Sequence, residues 1–282
     1  MTNKPINWLG DLPSPYSNYI SFTEIKLGRH PCAFLGFAGG DKFIKQVPEH
    51  IQQKEYAVLS WLESIPSADG NSNTFPPSQL HIPIPELVSA RKDLLITSKL
   101  GGLPITKANL LESIPTLCRC LAYLHQLIEV SQLPSVVVKS LDYELPIVIS
   151  DVPSDYHPQF LQAKTHIEQH VSILGFLHGD LSDGNILFNS CTKDIGIVDW
   201  EYANVRDCRW DLATIAVEFE LENTSFEKVC DLYLLNRNVQ DKHFFAVAKS
   251  WAVVYALTCL CWAKDNQFNT NRYVQFLQQI KN

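Results

Sequence analysis

Short apolar runs broken by turn residues fill the first third of the chain, and longer runs of helical periodicity fill the rest. CAFLGF (32–37) and KFIKQV (42–47) read as strands joined by the hairpin signal AGGD. EHIQQKEYAVLSWLESI (49–65) spaces Ile51, Tyr56, Leu59 and Leu62 along one face of a helix. Residues 66–85 carry Pro66, Pro76, Pro77, Pro83 and Pro85 around SADGNSNT and read as a loop. ELVSARKDLLITSKL (86–100) reads as two strands about a turn at Arg91–Asp93, and Gly101 and Gly102 mark a hinge near 99–103. Beyond it, ANLLESIPTLCRCLAYLHQLIEV (108–130) predicts a helix despite Pro115. QFLQAKTHIEQHVSIL (159–174), WDLATIAVEFEL and HFFAVAKSWAVVYALTCLCWA predict three more. Residues 131–158, with Pro134, Pro146, Pro153 and Pro158, read as irregular. The layout is α+β: a small β-rich lobe over 1–100 and a larger, mainly helical lobe over 101–282.

Composition narrows what such a protein would meet. Of the 282 residues, 46% are hydrophobic and 19% charged, enough for a substantial core. The net charge of −7 lacks the basic stripe of a nucleic-acid surface, so no nucleic-acid partner is expected. MTNKPINWLGDLPSP has no apolar export core, and no apolar run approaches the ~20 residues of a membrane span. The expectation is a cytoplasmic protein without a membrane partner, its oligomeric state left open. Eight cysteines without a CxxC pair predict free, mostly buried thiols.

The run FLHGDLSDGNILFN (176–189) sets His178, Asp180, Asp183 and Asn185 among residues that favour burial. SCTKD then turns the chain into IGIVDWEYA, so NILF and IGIV pair as a predicted hairpin that brings Asn185 near Asp199. One carboxylate, Asp180, could accept a proton from an attacking hydroxyl. An amide oxygen and a second carboxylate are hard ligands suited to magnesium. Phosphoryl transfer in kinase-like enzymes uses such a set, and HGDLSDGN keeps the His, Asp, Leu and Asn offsets of the H-R-D-L-x-x-x-N loop, with Gly179 in place of Arg.

LHGDLSDGNIL, then IVDWEYA, then RWDLA together resemble the aminoglycoside phosphotransferase/choline kinase family, with DWEYA closest to its choline/ethanolamine and thiamine kinase branches. The resemblance implies a two-lobed protein-kinase-like fold that uses ATP and Mg²⁺ to phosphorylate the hydroxyl of a small cationic alcohol. Aminoglycoside and homoserine remain alternative acceptors, and ATP against GTP stays open. It implies Asp180 as base, Asn185 and Asp199 as metal ligands, and His178 and Asp211 as braces of the catalytic loop. Lys45 would contact ATP phosphates with Glu55 as its ion-pair partner; strand alternation favours Lys45 over Lys42. Backbone groups near Ser98–Leu100 would meet adenine. The phosphate-covering loop would be KLGRHPCAF, which departs from the family's glycine- or serine-rich loop and leaves Gly28 and Arg29 as its candidates. Glu201, Tyr202 and Glu218 would line a pocket for a cationic head, and Trp251, Tyr255 and Trp262 share a helix face that suits either a cation-binding cage or core packing. Glu220 reads as a solvated helix position. A non-catalytic nucleotide-binding regulator would be expected to lack Asp180 or Asp199, and both are present. Asp211 follows Asp199 by only twelve positions, too few for a peptide-docking segment, so a small-molecule acceptor is expected.

Overall fold

Five antiparallel strands build the N-terminal sheet: β1 (Ser21–Ile25), β2 (Cys32–Gly36), β3 (Lys42–Gln46), β5 (Pro85–Glu86) and β6 (Leu94–Ser98), in the order β1-β2-β3-β6-β5. The computed structural model describes residues 12, 14–25, 30–65, 78–86, 91–130, 132–137 and 145–280. Gly28, Arg29 and most of the SADGNSNT loop lie outside them. Period-two alternation puts Ala33, Leu35, Ile44, Leu94 and Ile96 into one small apolar core. The same alternation turns Lys45 to the opposite face, toward helix α1 (Glu49–Ser64). Lys42, by contrast, pairs with Glu86.

The lobes are sewn together by a second sheet of four strands. It contains β4 (Leu80–His81), β7 (Leu103–Pro104), β9 (Ile186–Asn189) and β10 (Asp194–Ile197), in the order β4-β10-β9-β7. β4 runs parallel to β10, so a piece of the N-terminal hundred residues completes a sheet built mainly by the C-terminal part. At the hinge Gly102 has φ +98°, and a Cβ there would lie 3.0 Å from the Phe188 carbonyl carbon. Only glycine suits that turn.

Around this sheet stand α2 (Lys107–Val130), α3 (His157–Glu168), α4 (Arg209–Glu218), α5 (Asn223–Arg237), α6 (Phe244–Asp265) and α7 (Asn271–Ile280). Pro115 is inside α2, as expected. The helix expected to reach residue 174 stops at Glu168. Leu174–Leu177 instead forms strand β8, paired antiparallel with β11 (Asn204–Asp207). The apolar run at its end is consumed by strand pairing, a tertiary choice that local periodicity does not contain. α6 corrects the expectation about apolar runs: by length and composition it could cross a membrane. Most of its length is buried in the helical core instead, with Trp251, Val254, Leu257 and Leu260 all but inaccessible. All eight cysteines are free, five of them buried.

Candidate functional site

Strand β8 delivers the chain into the catalytic-loop sequence, and buried polar contacts hold that loop rigidly. The Asp211 carboxylate, fully buried at the start of α4, accepts the His178 N–H at 3.0 Å and the Gly179 N–H at 2.9 Å. His125 Nε2 lies 3.2 Å from the same carboxylate, and His125 Nδ1 is 2.8 Å from the Tyr233 hydroxyl. The His178 ring reaches the Val198 carbonyl through Nε2 at 2.9 Å. A carbonyl only accepts, so Nε2 carries the proton and Nδ1 is left to accept the Asp180 N–H at 3.3 Å. Burial lowers the His178 pKa and keeps this ring neutral, against the pull of Asp211 and Asp199. Gly179 has φ +88°, and a Cβ there would sit 2.4 Å from the Tyr202 carbonyl oxygen. That close approach explains glycine at the position held by arginine in the protein-kinase loop. Trp210 closes the arrangement by donating Nε1–H to the Gly179 carbonyl at 3.0 Å.

Asp211→Ala should therefore cost about 2–6 kcal/mol of stability, because it strands the buried His178 N–H and the part-buried Gly179 N–H at about 1–3 kcal/mol each. Urea denaturation measures it. A loss below about 1 kcal/mol would mean that water or a backbone shift satisfies the loop without Asp211.

The candidate base and metal ligands come together as the hairpin predicts. β9 and β10 pair with Ile197 opposite Ile186, and Val198 N–H donates to the Asn185 carbonyl at 3.0 Å. Asn185 Nδ2 donates to the Asp180 carbonyl at 2.9 Å and to its Oδ2 at 3.3 Å, which leaves Asn185 Oδ1 as a free oxygen donor. Asp199 adopts the left-handed region, φ 68° and ψ 64°, directly after β10. One of its oxygens accepts from Lys45 Nζ at 2.6 Å. Asp180 has its pKa pushed up to about 7, first by burial and then by the carboxylates of Glu218, Asp199, Glu201 and Asp211.

Lys45 is the cationic centre of the cleft. Its ammonium lies 2.6 Å from Asp199, 3.1 Å from Glu201 and 3.5 Å from Glu55. Burial alone would lower its pKa, but the three carboxylates outweigh it and the shift is upward. Glu55 is raised to about 7 by burial, opposed by Lys45, and its Oε1 accepts the Trp200 N–H at 3.1 Å. Glu55, Asp199 and Glu201 each bring an oxygen within 4.8 Å of the others. These hard oxygen donors, with Asn185 Oδ1, fit magnesium chemistry. Glu201 thus stands beside Asp199 and Glu55, bound to Lys45.

Glu218 stands elsewhere. It is buried at the end of α4 and accepts from Tyr255 at 3.0 Å, from Tyr273 at 3.3 Å and from Arg272 Nη1. Burial raises its pKa while Arg272 opposes that shift. No hydrogen bond or ion pair joins Glu201 to Glu218 among the described residues. Arg272 also lies 3.6 Å from Asp183 and 3.8 Å from Glu220. Glu220 is no solvated helix position: it follows the end of α4 with φ 50° and pairs with Lys107 and Arg272. The expected aromatic face divides. Trp251 and Tyr255 are buried against Trp210, whereas Trp262 is partly exposed and stacks on Phe268 at 5.1 Å. Trp262, Ala263, Phe268, Asn269, Arg272 and Tyr273 line a cavity of about 350 Å³. Tyr202 is exposed, with its carbonyl against Gly179.

At the hinge, the Ser98 amide donates to Ile84 and the Ser98 hydroxyl accepts from it, both at 2.8 Å, while the Lys99 amide donates to Asp41. Leu100 packs its side chain over Gly196 of β10. The Ser98 amide is thus spent on the sheet, which leaves Leu100 as the hinge candidate for a ligand. Sequence reasoning missed His125, Trp210 and Arg272. Trp210 adjoins Asp211 in RWDLA and could have been found there; Arg272 has no local signal.

The sequence matches the phosphotransferase enzyme family over residues 51–237, about two thirds of the chain. No curated protein sequence matches it. Several solved structures share the fold. The choline/ethanolamine kinase family protein from Mesorhizobium loti has a TM-score of 0.68 at 16% identity, covering 97% of this chain and 91% of that one. Choline kinase LicA from Streptococcus pneumoniae has a TM-score of 0.65 at 12% identity, covering 93% and 94%. Amicoumacin kinase hAmiN, in complex with AMP-PNP, Ca²⁺ and Ami, has a TM-score of 0.66 at 13% identity, covering 92% and 86%. At these identities the likeness speaks for the fold: a β-sheet lobe and a helical lobe in the kinase-like arrangement.

Proposed function

We propose that this chain, which belongs to the phosphotransferase enzyme family, is a small-molecule kinase that moves the γ-phosphoryl group of ATP to the hydroxyl of a small cationic alcohol of the choline, ethanolamine or thiamine type. The observation that carries the transfer reading is Asp180 held by Asn185 beside Asp199 and Lys45. Asp180 Oδ accepts the acceptor's hydroxyl proton, and a pKa near 7 makes it a stronger base than an ordinary aspartate. Lys45, anchored by Glu55, meets the phosphate oxygens, while the Leu100 backbone meets the adenine edge. Asn185 and Asp199 would hold Mg²⁺, which when bound neutralises charge on the transferring phosphates. His178 and Asp211 keep the loop in register and touch no reacting atom.

The acceptor is assigned to the cavity beside Arg272. Three carboxylates, Asp183, Glu218 and Glu220, stand against two cations, Arg272 and Lys107, so one negative charge is left over for a cationic head. Trp262 and Tyr273 line the cavity that Arg272 also lines. The test is magnesium-dependent ADP release across choline, ethanolamine, thiamine, homoserine and kanamycin. Turnover with kanamycin or homoserine alone would replace the cationic-alcohol reading with one of its alternatives.

Arg272 sharpens this. It occupies the carboxylate that a cationic substrate needs, so Arg272→Gln should favour a fixed cation over its neutral isostere. The ratio of kcat/KM for choline to that for 3,3-dimethylbutanol should rise about tenfold, the equivalent of ~1.4 kcal/mol. A ratio unchanged by the substitution would separate Glu218 from acceptor charge recognition.

A further inference from the structure

His125, on α2, is wholly inaccessible and does no chemistry in the cleft, yet it touches the group that braces the catalytic loop. Its Nε2 lies 3.2 Å from Asp211 Oδ2, and its Nδ1 lies 2.8 Å from the hydroxyl of Tyr233 on α5. A carboxylate accepts and does not donate, so Nε2 carries the proton. Nδ1 is then free to accept the Tyr233 O–H. Burial raises the Tyr233 pKa well above its ordinary value, so the hydroxyl keeps the proton it donates. Tyr233 in turn stacks on Phe244 of α6, with 5.5 Å between ring centroids.

The Asp211 carboxylate thus takes three N–H groups: those of His178 and Gly179 from the catalytic loop, and that of His125 from α2. Oδ2 is shared between His178 and His125. An aspartate χ2 is a soft torsion with a broad minimum. The two loop amides could follow the carboxylate if it turned, because they belong to the segment it holds. Among the described residues, His125 makes the only hydrogen bond that ties this carboxylate to an element outside α4 and the loop. α2 is itself pinned at that residue. A Cβ on Gly175 of β8 would lie 2.8 Å from the His125 Cβ and 3.1 Å from its carbonyl oxygen. Only glycine lets β8 lie this close to α2, three residues before His178.

We propose that His125 is a positioning residue for phosphoryl transfer: it fixes the turn of the Asp211 carboxylate and, through the His178 and Gly179 amides, the aim of Asp180. The inference rests on Asp180 as the base, and His125 touches no reacting atom. Without the Nε2–H the carboxylate turns, the loop amides turn with it, and Asp180 leaves its alignment. A misplacement of about 1 Å costs up to about 10²-fold in rate. The effect falls on proton acceptance and not on the nucleotide, because Lys45 is anchored by Glu55 on α1 and Asp199 follows β10.

The test compares two amides in the full-length protein. In His125→Gln the side-chain NH₂ reaches as far as Nε2 did and still donates to Asp211; in His125→Asn it reaches only as far as Nδ1, toward Tyr233. Each variant loses one buried hydrogen bond, so both should lower Tm by about 2–10 °C. His125→Asn should lower kcat for magnesium-dependent ADP release by about 10- to 100-fold, with the KM for ATP within about twofold of wild type. His125→Gln should keep kcat within about threefold. A purely structural role predicts equal kcat in the two when both are assayed well below Tm, and that result overturns the proposal. Hydrogen exchange over residues 176–189 without substrate is a second readout: the Asn variant should lose protection there and the Gln variant keep it. If the wild type releases no ADP with any acceptor, the kinase reading fails, and equal exchange in the two variants then overturns the hold of His125 on the loop. If His125→Asn does not fold, Tyr233→Phe takes its place, since it removes only the hydroxyl that steadies the ring. It should lower kcat about two- to fivefold and raise exchange in the same segment. Unchanged values for both overturn the proposal.

Discussion

Asp180→Asn lowers kcat by roughly 10²–10⁴ and leaves ATP affinity nearly intact. Among the described residues, the carboxylate is the one group in the cleft placed to accept a proton without already being paired to a cation. Its only side-chain partner among them is Asn185 Nδ2, at 3.3 Å. The amide side chain has the same shape, so the loop held by Asp211 and Trp210 keeps its path. A second readout checks the same group without any substrate. The native state holds the Asp180 proton up to about pH 7, whereas the unfolded chain releases it near the ordinary 3.8. A raised carboxyl pKa means that the native protein binds more protons between these values, so stability falls as pH climbs from about 4 to 7. The amide cannot ionise and escapes that loss. Melting the two proteins at pH 5 and pH 8 should show the variant gaining on the wild type at the higher pH. About two pH units of this linkage are lost between pH 5 and pH 8, roughly 2.6 kcal/mol, so the gain should be about 5–10 °C. Turnover within a few-fold of wild type would remove Asp180 as the base; identical pH dependence of Tm would remove the buried, carboxylate-ringed environment described for it.

Asp199→Ala abolishes the magnesium-dependent part of ATP affinity, a loss equivalent to several kcal/mol. Asn185 alone is one neutral oxygen donor, too weak to hold the ion against hydration. The fold should tolerate the change, because Asp199 is partly exposed and Lys45 keeps Glu55 and Glu201 as partners. Calorimetric titration of ATP at several magnesium concentrations separates the metal from the nucleotide. A magnesium dependence that survived would shift the metal toward Glu55 and Glu201, the other oxygens of the same cluster.

Much of the cleft was legible in the chain because its chemistry is local. Asp180 and Asn185 are five residues apart on one loop, and Asp199 follows on the next strand of a short hairpin, so spacing alone brings them together. The choice of Lys45 over Lys42 was legible too, since strand alternation sends them to opposite faces. The cations that Glu201 and Glu218 meet were not. Glu201 and Glu218 look equivalent as acidic residues near the motif, yet one turns to Lys45 and the other to Arg272.

Hydrophobic periodicity by itself determined the lobes, α1, α2 and the β9–β10 hairpin, because burial of one face is written into a segment's own residues. Only the tertiary structure decided which charges meet. Lys45 reaches Glu201 across 156 positions, Arg272 reaches Glu218 across 54, and His125 reaches Asp211 across 86. A carboxylate's preference for a cation is the same along the whole chain, and a segment's pattern says that the group must be paired but not by whom. The partner is chosen by how helices and sheets pack. Packing also ended α3 at Glu168, where Leu174 found a strand in β11. It placed Trp262 at the cavity and Trp251 in the core, although both lie on one helix.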